Sequence, residues 1–353
     1  EVGAHILSGA ILEPTALNEL FNDWQKDESC PVKVKVKKET VKFLNEKNAF
    51  SLPKIFIPSV MHNNGNFIIS LGSFCKWLST EAEKLGVEIY PGFAASDIIL
   101  DDKKLSGIIT NDSGVDKDGK PGPNFQPGIE IHAKYTLFAE GCRGHLGKRL
   151  MNEFNLREKS EHQTYGIGLK ELWEVKPEQS NQGEVLHTIG WPLDRQTYGG
   201  SFLYHLSNNL VSVGFVIGLD YKNPYLSPYD EFQRFKTHPK IKGLFEGGRR
   251  ISYGARALNE GGWQSLPELA FPGGALIGCD AGTLNTPKIK GTHTAMKSGM
   301  IAAEKVFFEL EKSNSNTTLN DFKKTFLESW AGIELRKARN VRPSFKYGLA
   351  TGM

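Results

Sequence analysis

Cysteine is scarce in this sequence of 353 residues, with only Cys30, Cys75, Cys142 and Cys279, all far apart. No C-x-x-C pair occurs, so the chain encodes neither a zinc knuckle nor an iron-sulfur ligand run, and a disulfide framework is not expected. Long apolar runs are missing too. The longest, such as Leu210–Leu219, fall far short of the roughly 20 residues a spanning helix needs. That excludes a spanning helix in this stretch and leaves surface attachment open. Charge of one sign is also absent. With 43 Lys plus Arg against 40 Asp plus Glu, the net charge of +3 creates no field that would draw in nucleic acid. The dinucleotide fingerprint G-x-G-x-x-G is nowhere in the chain. The first residue is Glu1 rather than Met, no signal-like apolar core follows it, and Gly348–Met353 carries no capping pattern. The expectation is the central portion of a longer protein.

What remains is a globular composition, with 39% hydrophobic residues, 37 Gly and 17 Pro. That is enough for two domain-sized units, or one large unit with an insertion, each able to bury a core. Ser73 to Gly86 puts Phe74, Trp77, Leu78, Ala82 and Leu85 on one helical face, with Gly86 at the C-terminal cap position. Val87–Tyr90, Asp97–Leu100 and Lys104–Thr110 then read as strands of a small antiparallel sheet. Asp112–Pro127 reads as a polar loop. Alternation over Ile129–Glu140 ends in Phe138-Ala139-Glu140-Gly141-Cys142-Arg143-Gly144, a strand breaking at a Gly-rich turn into a helix. In the middle, Tyr165–Leu172, Gly200–Leu206, Leu210–Leu219 and Arg249–Leu258 read as strands, the second and third joined by Ser207-Asn208-Asn209. Ser227 to Phe245 reads as a helix interrupted by Pro239. The strand Gly274–Gly278 leads through Cys279-Asp280-Ala281-Gly282 to a long helix from about Thr292 to Leu310. After the polar linker Ser313–Thr318, a last helix runs from about Leu319 to Arg339. No internal repeat is apparent.

The strongest chemical signal is Ala275-Leu276-Ile277-Gly278-Cys279-Asp280-Ala281-Gly282, followed by Pro287 and by Gly291-Thr292-His293-Thr294. A strand that delivers a carboxylate just past a glycine sets an acceptor pair beside the hydroxyls of a nucleotide, and the glycines admit close backbone approach. Free amides at the start of the Thr292 helix can hold anionic or electron-rich ligand atoms. Asp280 taken alone reads first as a turn or N-cap residue. The added Pro287, Gly291 and Ala-rich helix at these distances tip the reading toward flavin.

This arrangement resembles the second flavin fingerprint of the glutathione-reductase-like FAD enzymes, and Phe138 to Gly144 is similar to their strand-to-turn motif. The fold class expected is α/β, a discontinuous FAD-binding domain with an inserted β-rich domain. Longer strings narrow the match: Gly3 to Ala10, Thr164 to Trp173, Gly190 to Arg195, Tyr198 to His205 and Pro287 to Gly299 resemble the electron-transfer flavoprotein:ubiquinone oxidoreductases over nearly the whole chain. That resemblance implies FAD, one [4Fe-4S] cluster, ubiquinone as substrate, electron-transfer flavoprotein as partner, and a monotopic enzyme on the matrix face of the mitochondrial inner membrane or on a bacterial cytoplasmic membrane. It divides the chain into a partial FAD domain (1–40 and 73–160), a membrane-surface and quinone segment (41–72), a quinone-binding sheet (161–258), the returning FAD strand and helix (259–312), and a C-terminal helix (313–353) leading to an iron-sulfur domain.

Carried over residue by residue, the resemblance implies cofactor contacts at Ser8, Gly9, Ala139, Gly141, Gly278, Asp280, Gly291, Thr292, His293 and Thr294, and quinone contacts at Tyr198, Gly199 and Gly200. The glycine pair would let backbone approach a flat quinone head; a bulge within a strand would use the same residues. Phe50 to Met61 is apolar, broken by two prolines and flanked by Lys47 and Lys54. By the resemblance it belongs to the membrane surface, with Phe50, Ile55, Phe56 and Ile57 in the lipid interface. A hydrophobic loop covering the core would have the same composition. The four cysteines cannot supply the family's cluster ligands, and no metal site is read here. Electron transfer needs no general base, so no catalytic acid or base is assigned: His62 and His205 read first as structural, and Trp173, Trp191 and Trp263 as core. Two other classes stay open. One is a FAD-dependent reductase or hydroxylase of the same fold acting on an isoprenoid or small aromatic substrate, and the other is a non-catalytic binding remnant.

Overall fold

The computed structural model describes residues 1–5, 7, 9–312 and 318–345, and all of these except the side chain of Phe56. Its largest element is a seven-stranded sheet in the order Arg249–Asn259, Tyr165–Glu174, Leu210–Gly218, Gly199–His205, Glu184–Gly190, Lys38–Leu44, Ala49–Ser51. Neighbours run antiparallel, except that Glu184–Gly190 and Lys38–Leu44 are parallel. The interior strand Leu210–Gly218 is apolar on both sides of its pleat because both faces of the sheet are covered. On one face Val213, Phe215 and Ile217 meet Phe232 and Phe235 of the helix Pro228–Thr237. Phe215, Phe232 and Phe235 are fully buried, each contributing roughly 1.5–3 kcal/mol of transfer free energy. On the other face Phe202 and Tyr204, stacked with centroids 4.4 Å apart, pack with Ile11, Val34 and Ile68. The sheet therefore adds two strands from the 38–51 stretch to the five supplied by the 161–258 stretch.

Among the smaller sheets, two position the site, while Ala95–Asp101, Lys104–Thr110 and Glu130–His132 form a third, antiparallel one. Ala10–Leu12, Phe67–Ile69 and Val34–Lys35 pair antiparallel beneath the helix Leu71–Lys84, whose buried Phe74 and Trp77 face them. Ser70 caps that helix, its hydroxyl accepting from the Ser73 amide at 3.3 Å, and Gly86 follows its end at φ +87°, close to the expected limits. Thr136–Phe138 and Gly274–Leu276 pair in parallel, with Ala270–Phe271 at the edge. Leu146, Leu150, Ile301 and Ala302 from two helices bury this sheet.

Three expectations need correction. Val87–Tyr90 forms no strand: Val87 and Tyr90 are exposed and no strand pairs with them among the described residues. Asp112–Pro127 is not all loop, since Ser113–Val115 and Pro121–Gln126 form a hairpin too exposed to leave an apolar signature. The final helix is two, Phe322–Glu328 and Trp330–Ala338, broken at Ser329, whose hydroxyl caps the second. The corner is tight: a Cβ on Gly332 would lie 2.4 Å from Leu327 Cα. The linker residues 313–317 lie outside the described residues.

Candidate functional site

The parallel strands Thr136–Phe138 and Gly274–Leu276 end side by side, each in a turn that needs glycine. Gly141, Gly278 and Gly282 have φ of +90°, +58° and +86°, conformations a side chain would strain. After the first strand, Glu140 folds over the start of the helix His145–Glu153, its carboxylate accepting from the amides of Gly147 (2.6 Å) and Leu146 (3.4 Å). A Cβ at Gly147 would lie 2.4 Å from Asp280 Oδ1, so the first strand's helix packs directly on the second strand's acid. Asp280 is buried, and its Oδ2 has no partner among the described residues. Burial, then the nearby Glu140 charge, pushes its carboxyl up to about 7. Ala139 is exposed beside this turn.

The turn after Ile277 and the helix Thr292–Leu310 form one unit. The Gly278 amide donates to Ser298 Oγ at 2.8 Å, and Thr294 Oγ1 donates to the carbonyls of Thr283 (2.8 Å) and Gly291 (2.9 Å). Gly291 caps the helix with no side-chain bond to its first amides. His293, by contrast, turns its ring away into the fold, Nε2 sitting 2.9 Å from Glu334 Oε1 and the ring stacking on Trp330; only its backbone faces the helix mouth. Glu334 also accepts from Asn285 Nδ2 and pairs with Lys288, which pairs in turn with Glu13. Glu13, His293 and Glu334 have the spacing of a cation site, but the Lys288 ammonium already pairs with both carboxylates.

Ser8 lies outside the described residues. Gly9, at φ +96°, sits against Ser212 of the large sheet, and its carbonyl accepts from Lys170 Nζ at 2.7 Å. Burial lowers that lysine to about 8. Gly9 thus joins the sheet's face, while the other described residues expected at the cofactor gather at the two turns and the helix start.

A flavin nucleotide fits this donor set. An unpartnered buried carboxylate oxygen, glycine turns without Cβ atoms and uncapped amides are what a hydroxyl-rich, pyrophosphate-bearing ligand requires.

Tyr198, Gly199 and Gly200 stand at the other end of the sheet. Gly199 and Gly200 pair regularly with Ile217 and Val216, so this is no bulge. A Cβ at Gly199 would meet the Val216 carbonyl at 2.3 Å, and one at Gly200 the Thr188 carbonyl at 2.6 Å; close strand packing alone already requires both glycines. Gly190, Leu193, Thr197, Tyr198, Gly199 and Phe345 line a cleft here. Behind Tyr198 lies a cluster that no sequence pattern announces. Arg342 rests 4.0 Å over the Tyr198 ring and pairs with Asp220 at 2.9 Å and with buried Glu260 at 3.4 Å. Gly166 leaves room for Glu260, since a Cβ there would approach Glu260 Oε1 to 2.4 Å. In the 50–61 segment Phe50 and Ile55 are exposed, Ile55 at 87%, whereas Ile57 is buried at 9%. Ile57 faces inward, and the Phe56 side chain lies outside the described residues.

Residues 165–258, which carry five strands of the large sheet and the helix that covers it, match the family model described as ETF-QO, ubiquinone-binding. The mitochondrial electron transfer flavoprotein-ubiquinone oxidoreductases of Mus musculus, Arabidopsis thaliana and Homo sapiens are 53%, 52% and 52% identical over 98%, 100% and 98% of this chain. The chain belongs to the electron transfer flavoprotein-ubiquinone oxidoreductase family. It spans 57%, 55% and 57% of those three relatives, so it corresponds to part of an electron transfer flavoprotein-ubiquinone oxidoreductase. Among solved structures, a geranylgeranyl bacteriochlorophyll reductase-like protein from Thermoplasma acidophilum superposes with a TM-score of 0.72 at 17% identity, over 98% of this chain and 79% of that one. A flavoprotein/dehydrogenase from Cytophaga hutchinsonii gives 0.64 at 18%, over 98% and 78%. These neighbours share the α/β flavoprotein fold and, at such identity, nothing finer. The isoprenoid-reductase alternative is therefore not favoured over the family in which identity exceeds half.

Proposed function

We propose that this chain is the flavin- and quinone-binding part of an enzyme that passes electrons from reduced electron-transfer flavoprotein to ubiquinone at a mitochondrial membrane surface. The observation that carries the reading is the juxtaposition in one fold of the ubiquinone-binding match over 165–258 with a glycine-walled cradle around an unpartnered Asp280 oxygen. FAD, when bound, supplies an acceptor that takes up electrons from one protein and releases them to a quinone. In this reading Asp280 holds a hydroxyl of the nucleotide, and the amides of Thr292 to Thr294 hold the electron-rich edge of its ring system. Tyr198 to Gly200 offer backbone donors and acceptors to the quinone head. The [4Fe-4S] cluster implied by the resemblance would take its ligands from outside this chain: among the described residues no cysteine belongs to a metal-sized group, and all four are free thiols.

The test uses the complete protein that carries this chain, loaded with FAD, following ubiquinone reduction by reduced electron-transfer flavoprotein. Gly200→Val, whose side chain would press on the Thr188 carbonyl, is expected to lower quinone reduction at least tenfold while the flavin is still reduced. Bleaching of the flavin with no quinone turnover in the unaltered enzyme would overturn the reading.

Membrane attachment is a separate proposal. No helix among the described residues is long and apolar enough to cross a membrane. Exposed Ile55 and Phe50, beside Lys47 and Lys54, instead suit the interface, where a buried Ile contributes roughly 1.5–3 kcal/mol. Ile55→Asp is expected to weaken sedimentation with anionic vesicles about tenfold and leave thermal stability unchanged; equal sedimentation would remove this segment from the contact.

A further inference from the structure

At the Tyr198 end of the large sheet, four chain segments bring together groups that ordinary sheet packing does not require. Arg342 comes from the last described helix, Asp220 follows the strand Leu210–Gly218, Glu260 follows the strand Arg249–Asn259, and Tyr198 precedes the glycine pair. Glu260 is 1% exposed and Arg342 8%, while the side chain of Asp220 is half open to water. Glycine stands where this cluster needs space. A Cβ at Gly166 would touch Glu260, and one at Gly218 would lie 3.0 Å from Arg342 Nη2 and 2.8 Å from Asp220 Oδ1. Gly166 and Gly218 are paired across adjacent strands, so two strands have given up side chains to house one ion cluster beside the cleft.

We propose that Glu260 is a positioning residue for quinone reduction, setting through Arg342 how much positive charge faces a quinone held against Tyr198, Gly199 and Gly200. The inference rests on the quinone reading of that strand. Reduction adds two electrons, supplied by a reduced flavin, and two protons from solvent, turning both quinone carbonyls into hydroxyls with no leaving group. Negative charge builds on the quinone oxygens before the protons arrive. A guanidinium against the tyrosine face stabilises that charge, provided it is not already shared between two carboxylates. With Glu260 ionised, Arg342 is divided between Glu260 and Asp220. With Glu260 protonated, only the half-exposed Asp220 competes.

Burial raises Glu260 to about 7, with Arg342 opposing and Asp220 reinforcing the shift. The charged and titratable groups around it are Arg342, Asp220, the Tyr198 phenol and the Cys142 thiol. Burial pushes the phenol and the thiol well above neutrality, so both stay uncharged and Glu260 is the member that changes charge near pH 7. The protonated, charge-releasing form prevails below about pH 7. Quinone reduction should therefore fall as pH rises through that value.

The experiment measures, in the complete FAD-loaded protein, the pH dependence of quinone reduction and of the affinity for a hydroxynaphthoquinone that is anionic across the range. In the unaltered protein both should decline about tenfold between pH 6 and 8. Glu260→Gln mimics the protonated acid and should flatten both profiles at their low-pH level. Asp220→Asn removes a charge that disfavours ionisation of Glu260, and should shift both limbs to lower pH. Gly200→Val should abolish analogue binding at every pH. If it does and Glu260→Gln keeps the original pH limb, or loses analogue binding at all pH, the linkage is wrong and the quinone site stands. If Gly200→Val binds the analogue unchanged, the quinone lies elsewhere and both readings fall.

Discussion

Asp280→Ala is expected to strip flavin from the protein while leaving the flavin-free fold at least as stable as before. Two consequences of one geometry oppose each other here. The carboxyl is buried, Glu140 lies close, and Oδ2 has no partner among the described residues. Its folded pKa is about 7, against 3.8 for an unperturbed aspartate. The group therefore favours the fold when protonated, and that contribution is lost as pH rises from about 4 toward 7. By pH 7 ionisation opposes folding by about 4 kcal/mol, because each tenfold gain in proton affinity on folding corresponds to about 1.36 kcal/mol. Removing the acid relieves that cost. A ligand hydroxyl donating to the orphaned oxygen relieves it too, and a hydrogen bond to a charged group is worth about 1.5–3 kcal/mol. Loss of Asp280 should accordingly weaken flavin binding about ten- to a hundred-fold, read from flavin fluorescence on titration. Melting of the flavin-free protein at pH 7 should be unchanged or higher, and the difference between variants should vanish near pH 4. Unaltered flavin affinity in Asp280→Ala would mean that this turn does not hold the nucleotide.

Local rules made part of this architecture readable. The helix Thr292–Leu310 begins and ends where its Gly291 start and apolar spacing indicate, and the strand, acidic turn and helix around Asp280 follow from glycines at positions of positive φ. The strands Leu210–Gly218 and Gly199–His205 announce themselves because β-branched and aromatic residues crowd them. Lys38–Leu44 and Glu184–Gly190 do not. Each mixes charged and apolar residues, and their parallel pairing joins segments far apart in sequence, which no local pattern encodes.

The site divides the same way. Glycine and aspartate at the two turns are local signals, so the two turns of the proposed flavin cradle were legible in the sequence. His293 could not be oriented: its motif placed it near a cofactor, while its ring answers to Glu334 and Trp330 on a distant helix. Glu260, Arg342 and Asp220 meet only through tertiary packing. Their one trace in the sequence is a pair of glycines, Gly166 and Gly218, inside otherwise bulky strands, a sign that something approaches closely. Ile57 shows the converse limit. A run of apolar residues does not say which of them faces inward, and here the two prolines turn Ile57 into the fold and Ile55 out of it.

The largest effect on stability is expected at Glu334, which ties the helix Trp330–Ala338 to the start of the helix Thr292–Leu310. Its carboxylate accepts from Asn285 Nδ2 at 2.7 Å and from His293 Nε2 at 2.9 Å, and pairs with Lys288 at 2.5 Å. Burial would raise its pKa, but the His293 bond and charge, followed by those of Lys288, outweigh it and bring the group to about 2 from 4.5. A depressed carboxylate contributes stability above its unfolded value and loses it as pH falls through the folded one. That places the window between about pH 5 and pH 2, with roughly 3 kcal/mol at stake. Glu334→Gln keeps the shape and removes the charge. It should cost about 3 kcal/mol at pH 7 in denaturant unfolding, because the partly buried Lys288 then keeps Glu13 as its carboxylate partner and His293 loses its anionic one. The two unfolding curves should converge near pH 2, where the original carboxylate is protonated as well. Since the same bonds fix the amides of Thr292 to Thr294, flavin affinity should fall together with stability at neutral pH, and added salt should not restore it. A variant that unfolds like the original at pH 7 would show that the carboxylate is solvated rather than clamped, and that the helix start is held by Thr294 and Ser298 alone.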